Sequence, residues 1–345
     1  MHLAVYLPLV IPVLAALVAR PLADRLPPVA ATWLLAGSSL VLAVASSAVL
    51  GLLALTALVR LPFVDTLGNM SVQVVSRDDP ASLPVAVIAG ALLAAAAAAA
   101  CRALWWRGTA IVDAGRQARR LPGSGQVVVT DDSAADAYTL PGWPCRIVIT
   151  TGMLDALTAQ ERQVLVAHER AHAGGSHYLF TSAARLASAA NPLLRPVAAQ
   201  VGYTVERWAD ERAAAATGDR PLTARAIARA AIAASAAPPA RTGPVAALCL
   251  VPVDSEDAPP PGSGAGAGNA ANKRGRHRFR RPSLRRAGPV PRRVAALLGP
   301  PPRLSLLLLA AAVLLVAVSG LSALEAARNM HELIEFAQAA SPSRS

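Results

Sequence analysis

Acidic residues, lysine, cysteine and aromatics are all scarce in this chain, and each shortage excludes something. Charged residues occupy 16% of the 345 positions and aromatics 4%. Soluble domains carry about 25% charge, so two ordinary water-soluble globules are excluded. Three cysteines (Cys101, Cys145 and Cys249) cannot build a disulfide framework, and their spacing fits no metal knuckle. Lysine occurs once, at Lys273, among 33 basic residues set against 21 acidic ones, which leaves a net charge of +12 carried by arginine. What is plentiful is apolar: 54% of the chain is hydrophobic.

The apolar residues gather into four segments. Crossing a hydrocarbon core takes about 20 largely apolar residues. Leu3 to Val18 is slightly short, and it lacks a basic leader and a small-residue cleavage site, so it reads as a retained span rather than a signal peptide. Val29 to Val59 carries no charge and is longer than required, so it can tilt or pass the interface. Leu83 to Leu104 is alanine-rich, with Arg102 near its end and Trp105 and Trp106 at interface level. Leu304 to Leu324 is the clearest of the four.

Orientation follows from the basic residues between spans. The loop from Arg60 to Pro84 holds two arginines against Asp65, Asp78 and Asp79, whereas Arg107, Arg116, Arg119 and Arg120 follow the third span. Residues 273–303 carry eleven basic residues and no acidic one. The pattern predicts a chain in a cell membrane with residues 105–303 in the cytoplasm and both termini outside. It divides into a membrane region (1–104, spans 3–18, 29–59 and 83–104), a folded segment (105–235), a linker (236–303), a fourth span (304–324) and a short outer tail (325–345).

Within the folded segment, Gln126 to Thr130 and Arg146 to Thr150 are short β-branched runs that predict strands, with Asp136 to Leu140 as a third. Thr158-Ala-Gln-Glu161 is a capping-box pattern. It predicts a helix running to the paired glycines 174 and 175. Further helices are expected from about Ser182, interrupted at Asn191-Pro192, and from Thr204 to about Gly218. Past Ser235 the chain is rich in proline, glycine and alanine, and is expected to be disordered to residue 303. Its arginine block has Phe279 as its sole aromatic, which favours contact with anionic lipid headgroups over direct nucleic-acid binding.

Inside the capped helix, His168-Glu169-Arg170-Ala171-His172 forms an H-E-x-x-H motif. Residues i and i+4 share a helical face, so two imidazoles can hold one zinc ion from the same side. Glu169 lies about 100° round the helix from His168, within reach of a water that zinc polarises towards a pKa of about 7. Three protein ligands are expected, leaving a fourth position for water. Glu206 in Val205-Glu-Arg-Trp-Ala-Asp210 is the best third ligand, and Asp210, four residues on, can accept the second ring N–H of a ligating histidine. His177 competes for the ligand position, with a role behind the ligands or on the substrate side as its alternative. The donor that stabilises the oxyanion is left open among Tyr138, His177, Tyr203 and Arg207.

Leu165-Val-Ala-His-Glu-Arg-Ala-His172, Asn191-Pro-Leu-Leu194 and Glu206-Arg-Trp-Ala-Asp210 resemble successive motifs of the BlaR/MecR-type membrane metallopeptidases. Leu140-Pro-Gly, Arg146-Ile-Val-Ile-Thr and Gly152-Met-Leu-Asp-Ala-Leu157 resemble the same family's strand and segment before the helix. The resemblance implies a multi-pass α-helical membrane protein of about four spans, with a small α+β gluzincin-like zinc peptidase domain between spans three and four. It implies one zinc ion per chain on His168, His172 and Glu206, Glu169 as catalytic base, Asp210 behind the ligands, and a protein substrate such as a cytoplasmic repressor. The chain departs from the antibiotic sensors in lacking both a large outer domain and a Ser-x-x-Lys acylation motif, so it has no covalent β-lactam sensor. An HtpX-type quality-control protease shares the H-E-x-x-H and E-x-x-x-D logic. A non-catalytic zinc-containing receptor or scaffold is the alternative of another class. A substrate strand is expected against an edge strand within Asp136 to Leu140 or Arg146 to Thr150.

Overall fold

A computed structural model describes residues 6–59, 83–236, 288–301 and 305–339. The start of the first span, the acidic loop after the second, the end of the tail and residues 237–287 of the linker lie outside the described residues.

Among the described residues, four helices are long and apolar enough to cross a membrane. Helix α1 (Leu7–Arg25), α2 (Pro28–Val59), α3 (Leu83–Arg120) and the last helix, α10 (Leu306–Ala339), contain them. Three boundaries differ from the sequence expectation, the first being that α1 runs past Val18 to Arg25. Helix α3 does not end near Leu104 but runs unbroken to Arg120, through Gly108 and Gly115. The turn at Gly142 approaches this helix closely: a Cβ on Gly142 would stand 3.0 Å from Gly115 Cα, whereas one on Gly115 would meet nothing nearer than 3.9 Å. Next to Gly115 and almost a turn on, Ala114 and Ala118 pack in one cluster with Leu140 and Val148. The break expected at 104/105 is therefore a change of surroundings along one helix. At the other end, α10 continues beyond Leu324 through much of the segment expected to be a tail.

The sheet contains β1 (Val127–Thr130), β2 (Ala137–Leu140) and β3 (Arg146–Thr150), in the order β1-β3-β2. Strand β3 runs parallel to β1 and antiparallel to β2. All five β3 residues are buried, as expected of a central strand. Of the two strands expected to receive substrate, β3 is thus excluded by its two neighbours, and β2 is the edge.

Helices α4 (Thr151–Ala156), α5 (Ala159–Gly174), α6 (His177–Ala190), α7 (Arg195–Thr217) and α8 (Arg220–Ala236) follow. A 3₁₀ turn at Pro192–Leu194 joins α6 to α7, with Asn191 Oδ1 accepting from Leu193 N at 3.1 Å. Helix α6 starts five residues before the expected Ser182, and α7 starts nine before Thr204, because Pro196 suits the first turn of a helix and Gly202 does not interrupt it. Gly218, at φ 68°, ends α7 in the left-handed region.

The capping box on α5 is complete: Thr158 Oγ1 accepts from Glu161 N, and Glu161 Oε2 accepts from Thr158 N at 2.9 Å. Arg229 Nη1 donates to the same carboxylate at 2.8 Å. Burial opposes the charge on Glu161, but the bonds from Thr158 and Arg229 outweigh it and hold the carboxyl below its usual range. Stability from Glu161 is accordingly present above its unfolded pKa of about 4.3 and is lost as pH falls through the lower folded value. Glu161→Gln should lower the melting temperature at pH 7, and the gap from wild type should narrow below about pH 4. Thermal melts across that range check it; a gap independent of pH would contradict the assignment.

The first two apolar helices and α7 share one core. Ile11, Leu22, Leu35 and Leu42 of α1 and α2 pack with Val197 and Val201 of α7. Thr32 Oγ1 donates to Thr204 Oγ1 at 3.0 Å across this contact.

Part of the linker expected to be disordered is a helix, α9 (Pro289–Leu298). Leu297 and Val294 pack on Ala214, Ala224 and Ile227. Arg220 donates to the carbonyls of Leu297 and Ala296, both at 3.1 Å, satisfying the open C-terminal end of α9. Arginine and proline content masked ten residues whose apolar positions are spaced for packing.

Candidate active site

Helix α5 presents His168 and His172 one turn apart, and α7 crosses it so that Glu206 meets both. His168 Nε2 lies 3.1 Å from His172 Nε2. Glu206 Oε2 lies 3.6 Å from His168 Nε2, and Oε1 3.5 Å from His172 Nε2. Donors about 2.0–2.1 Å from a tetrahedral ion stand about 3.3 Å apart, so the three spacings fit a zinc ion. Among the described residues, these three form the cluster able to hold a metal.

Each histidine has a partner behind it. His168 Nδ1 faces Asp210 Oδ1 at 3.1 Å, and Asp210 is almost wholly buried. His172 Nδ1 lies 3.0 Å from His177 Nδ1. His177 thus stands behind a ligand and is not itself in the cluster. Its ring is buried against Trp208, with centroids 4.6 Å apart. Gly175 makes room for it, since a Cβ there would stand 2.3 Å from His177 Nε2. These contacts orient the rings of both histidines.

Glu169 is buried beside them, and Thr139 Oγ1 on β2 donates to its Oε2 at 2.9 Å. Thr139 was invisible in sequence, where attention fell on its neighbour Tyr138. Thr139→Val keeps the shape and removes this bond. It should lower kcat about tenfold with KM nearly unchanged, as steady-state kinetics would show; an unchanged kcat would remove Thr139 from the machinery.

The largest omission from the sequence reading is Arg293 on α9. Its Nε and Nη2 donate to Asp210 Oδ2 and Oδ1 at 2.7 and 2.6 Å, a two-pronged pair. Its Nη1 lies 2.9 Å from Glu206 Oε2. Beside it, Arg292 donates to Asp24 at 2.6 Å and lies over the Tyr203 ring. These two members of the arginine block therefore face protein carboxylates rather than lipid.

With the protein's own charges, burial opposes charge on His168, but Asp210 and Glu206 hold it up at about 10. Burial pushes His172 down to about 4 and, with neighbouring His172, His177 down to about 3. Burial would raise the carboxyls of Glu206 and Asp210, yet Arg293 holds both below the usual range.

A cavity of about 890 Å³ opens over the cluster. Tyr138, Thr139 and residues 141–145 line one side, Tyr178 and Arg185 of α6 another, with His168, Glu169, His172, His177 and Glu206 between them. Trp143, 91% exposed, stands at its rim. Tyr203 and Arg207 do not line it, correcting their candidacy as oxyanion donors. One residue along a helix turns the side chain by about 100°, so the residue after Glu206 faces α1. Arg207 Nη1 donates to Ala23 O at 2.6 Å, and Tyr203 packs in the α1–α2–α7 core. Burial pushes the Cys145 thiol up, away from the thiolate a metal requires.

Residues 109–237 match the sequence profile of peptidase family M48. That domain indicates a metallopeptidase, and the family consists of zinc enzymes. No curated protein and no solved structure matches the chain.

Proposed function

We propose that the chain is a membrane-embedded zinc endopeptidase with a cytoplasmic active site, cutting a protein segment laid along β2. The observation that carries this reading is the His168–His172–Glu206 cluster with Glu169 beside it at the floor of an open cavity. Zinc bound there supplies Lewis acidity to the scissile carbonyl and to the attacking water. Glu169 accepts the water's proton as oxygen attacks the carbonyl carbon, then returns a proton to the amine nitrogen as the C–N bond breaks. Thr139 aims the carboxylate, while Asp210 and His177 hold the imidazoles. Of the open candidates for the oxyanion donor, Tyr138 and His177 line the cavity; His177 stands behind a ligand, which favours Tyr138 for that role. A structural zinc site is closed by four protein ligands. Three donors and an open cavity favour catalysis over the scaffold alternative.

The resemblance to BlaR/MecR enzymes points to regulatory cleavage of a cytoplasmic protein such as a repressor. A second reading, removal of damaged membrane proteins, is favoured by the packing of α7 against α1 and α2, which sets the cavity beside apolar helices. New protein N-termini in cells carrying wild type or Glu169→Gln separate the two. A few Glu169-dependent sites in a soluble regulator support the first, and scattered sites in membrane proteins support the second. Identical N-termini in both strains overturn the protease reading.

A further inference from the structure

A second concavity, of about 280 Å³, lies between α3 and α6. Arg102, Trp106 and Arg107 of α3 and Arg185 of α6 line it, together with four alanines. No carboxylate is among its lining residues. Positions 99, 102, 103, 106 and 110 recur on one side of a helix, so α3 turns one stripe towards α6. Arg107 Nη1 donates to Ser182 Oγ at 3.2 Å, which aims its guanidinium at α6.

We propose that this pocket binds the phosphate of an anionic phospholipid headgroup. Three guanidiniums brought into one small space repel one another, and a phosphate offset by their planar forks relieves that repulsion. The level fits a headgroup: the apolar stretch of α3 ends at Arg102, and Trp105 and Trp106 project outward just beyond it. Exposed Val87, Ile88 and Leu92 farther back along α3 offer a track for an acyl chain. Basic clefts between membrane helices take headgroups in this manner. Arg185 also lines the catalytic cavity, so a bound headgroup touches a residue shared by both sites. The pocket is distinct from the arginine block before α10, two of whose members face carboxylates.

The proposal rests on reading α3 as a membrane helix. Recovery of the chain in the soluble fraction would overturn that reading, and with it the pocket. The test itself uses the full chain in a zwitterionic detergent. Dioctanoyl phosphatidylglycerol and dioctanoyl phosphatidylcholine are titrated in, and retained lipid is counted by native mass spectrometry. Phosphatidylglycerol should be retained at least about tenfold more strongly. R102Q/R107Q should abolish that preference, whereas R119Q/R120Q, which removes equal charge from the same helix, should keep it. The single variant R102Q, at an exposed position, should weaken retention about threefold with wild-type helix content by circular dichroism. Equal retention of the two lipids overturns the proposal, as does equal loss in both double variants. Displacement of the lipid by equimolar inorganic phosphate overturns it in favour of a free-anion site.

Discussion

Glu169→Gln is expected to lower kcat by about a thousandfold while bound zinc stays at one per chain. The amide has the size of the carboxylate and can still accept the bond from Thr139, but it cannot take a proton from water. Glu169 lies outside the His168–His172–Glu206 cluster, so the ions stay in place. Cleavage of an unstructured protein substrate, with metal analysis of the same preparation, checks both halves. His172→Gln should lose metal and activity together. A Glu169→Gln enzyme within tenfold of wild type would sink the general-base assignment.

Arg293→Met should destabilise the zinc-depleted protein by about 3–5 kcal/mol, the usual cost of leaving a buried charge without its partner. Two carboxylates, Glu206 and Asp210, are balanced in that form by Arg293 and by protonated His168. Removing the guanidinium leaves one negative charge uncompensated. When zinc is bound and His168 is neutral, the same sum is +1 with Arg293 and zero without it. The loss should therefore be smaller in the zinc-loaded protein, and zinc should raise the melting temperature of Arg293→Met more than that of wild type. Arg293→Lys should not restore stability, because a single ammonium cannot make the two-pronged pair. Equal melting shifts on zinc addition in variant and wild type would contradict this balance.

What could be read from sequence was local. The His168–His172 spacing, the capping box and the Glu206–Asp210 pair each lie within one or two helical turns, where geometry follows from residue number. Contacts between distant segments could not be read that way. Arg293 reaches Asp210 across 83 residues, from a stretch whose composition resembles a solvated tether. The sheet order depends on which strand lies in the middle, and β1 and β3 have similar β-branched character. Tyr203 and Arg207 illustrate a finer limit. They belong to the right helix, but choosing its working face required knowing where α1 packs. The third span is expected to end near Leu104, where polar residues begin, yet its helix runs on to Arg120.

The position of α9 in the chain also orders events in time. Translation produces H-E-x-x-H, Glu206 and Asp210 well before Arg293, which precedes α10 by a short connection. A nascent chain thus carries the metal-binding face while its buried carboxylates still lack their counter-charge. Completion of this charge balance therefore waits for residue 293, 83 residues after Asp210 has been made.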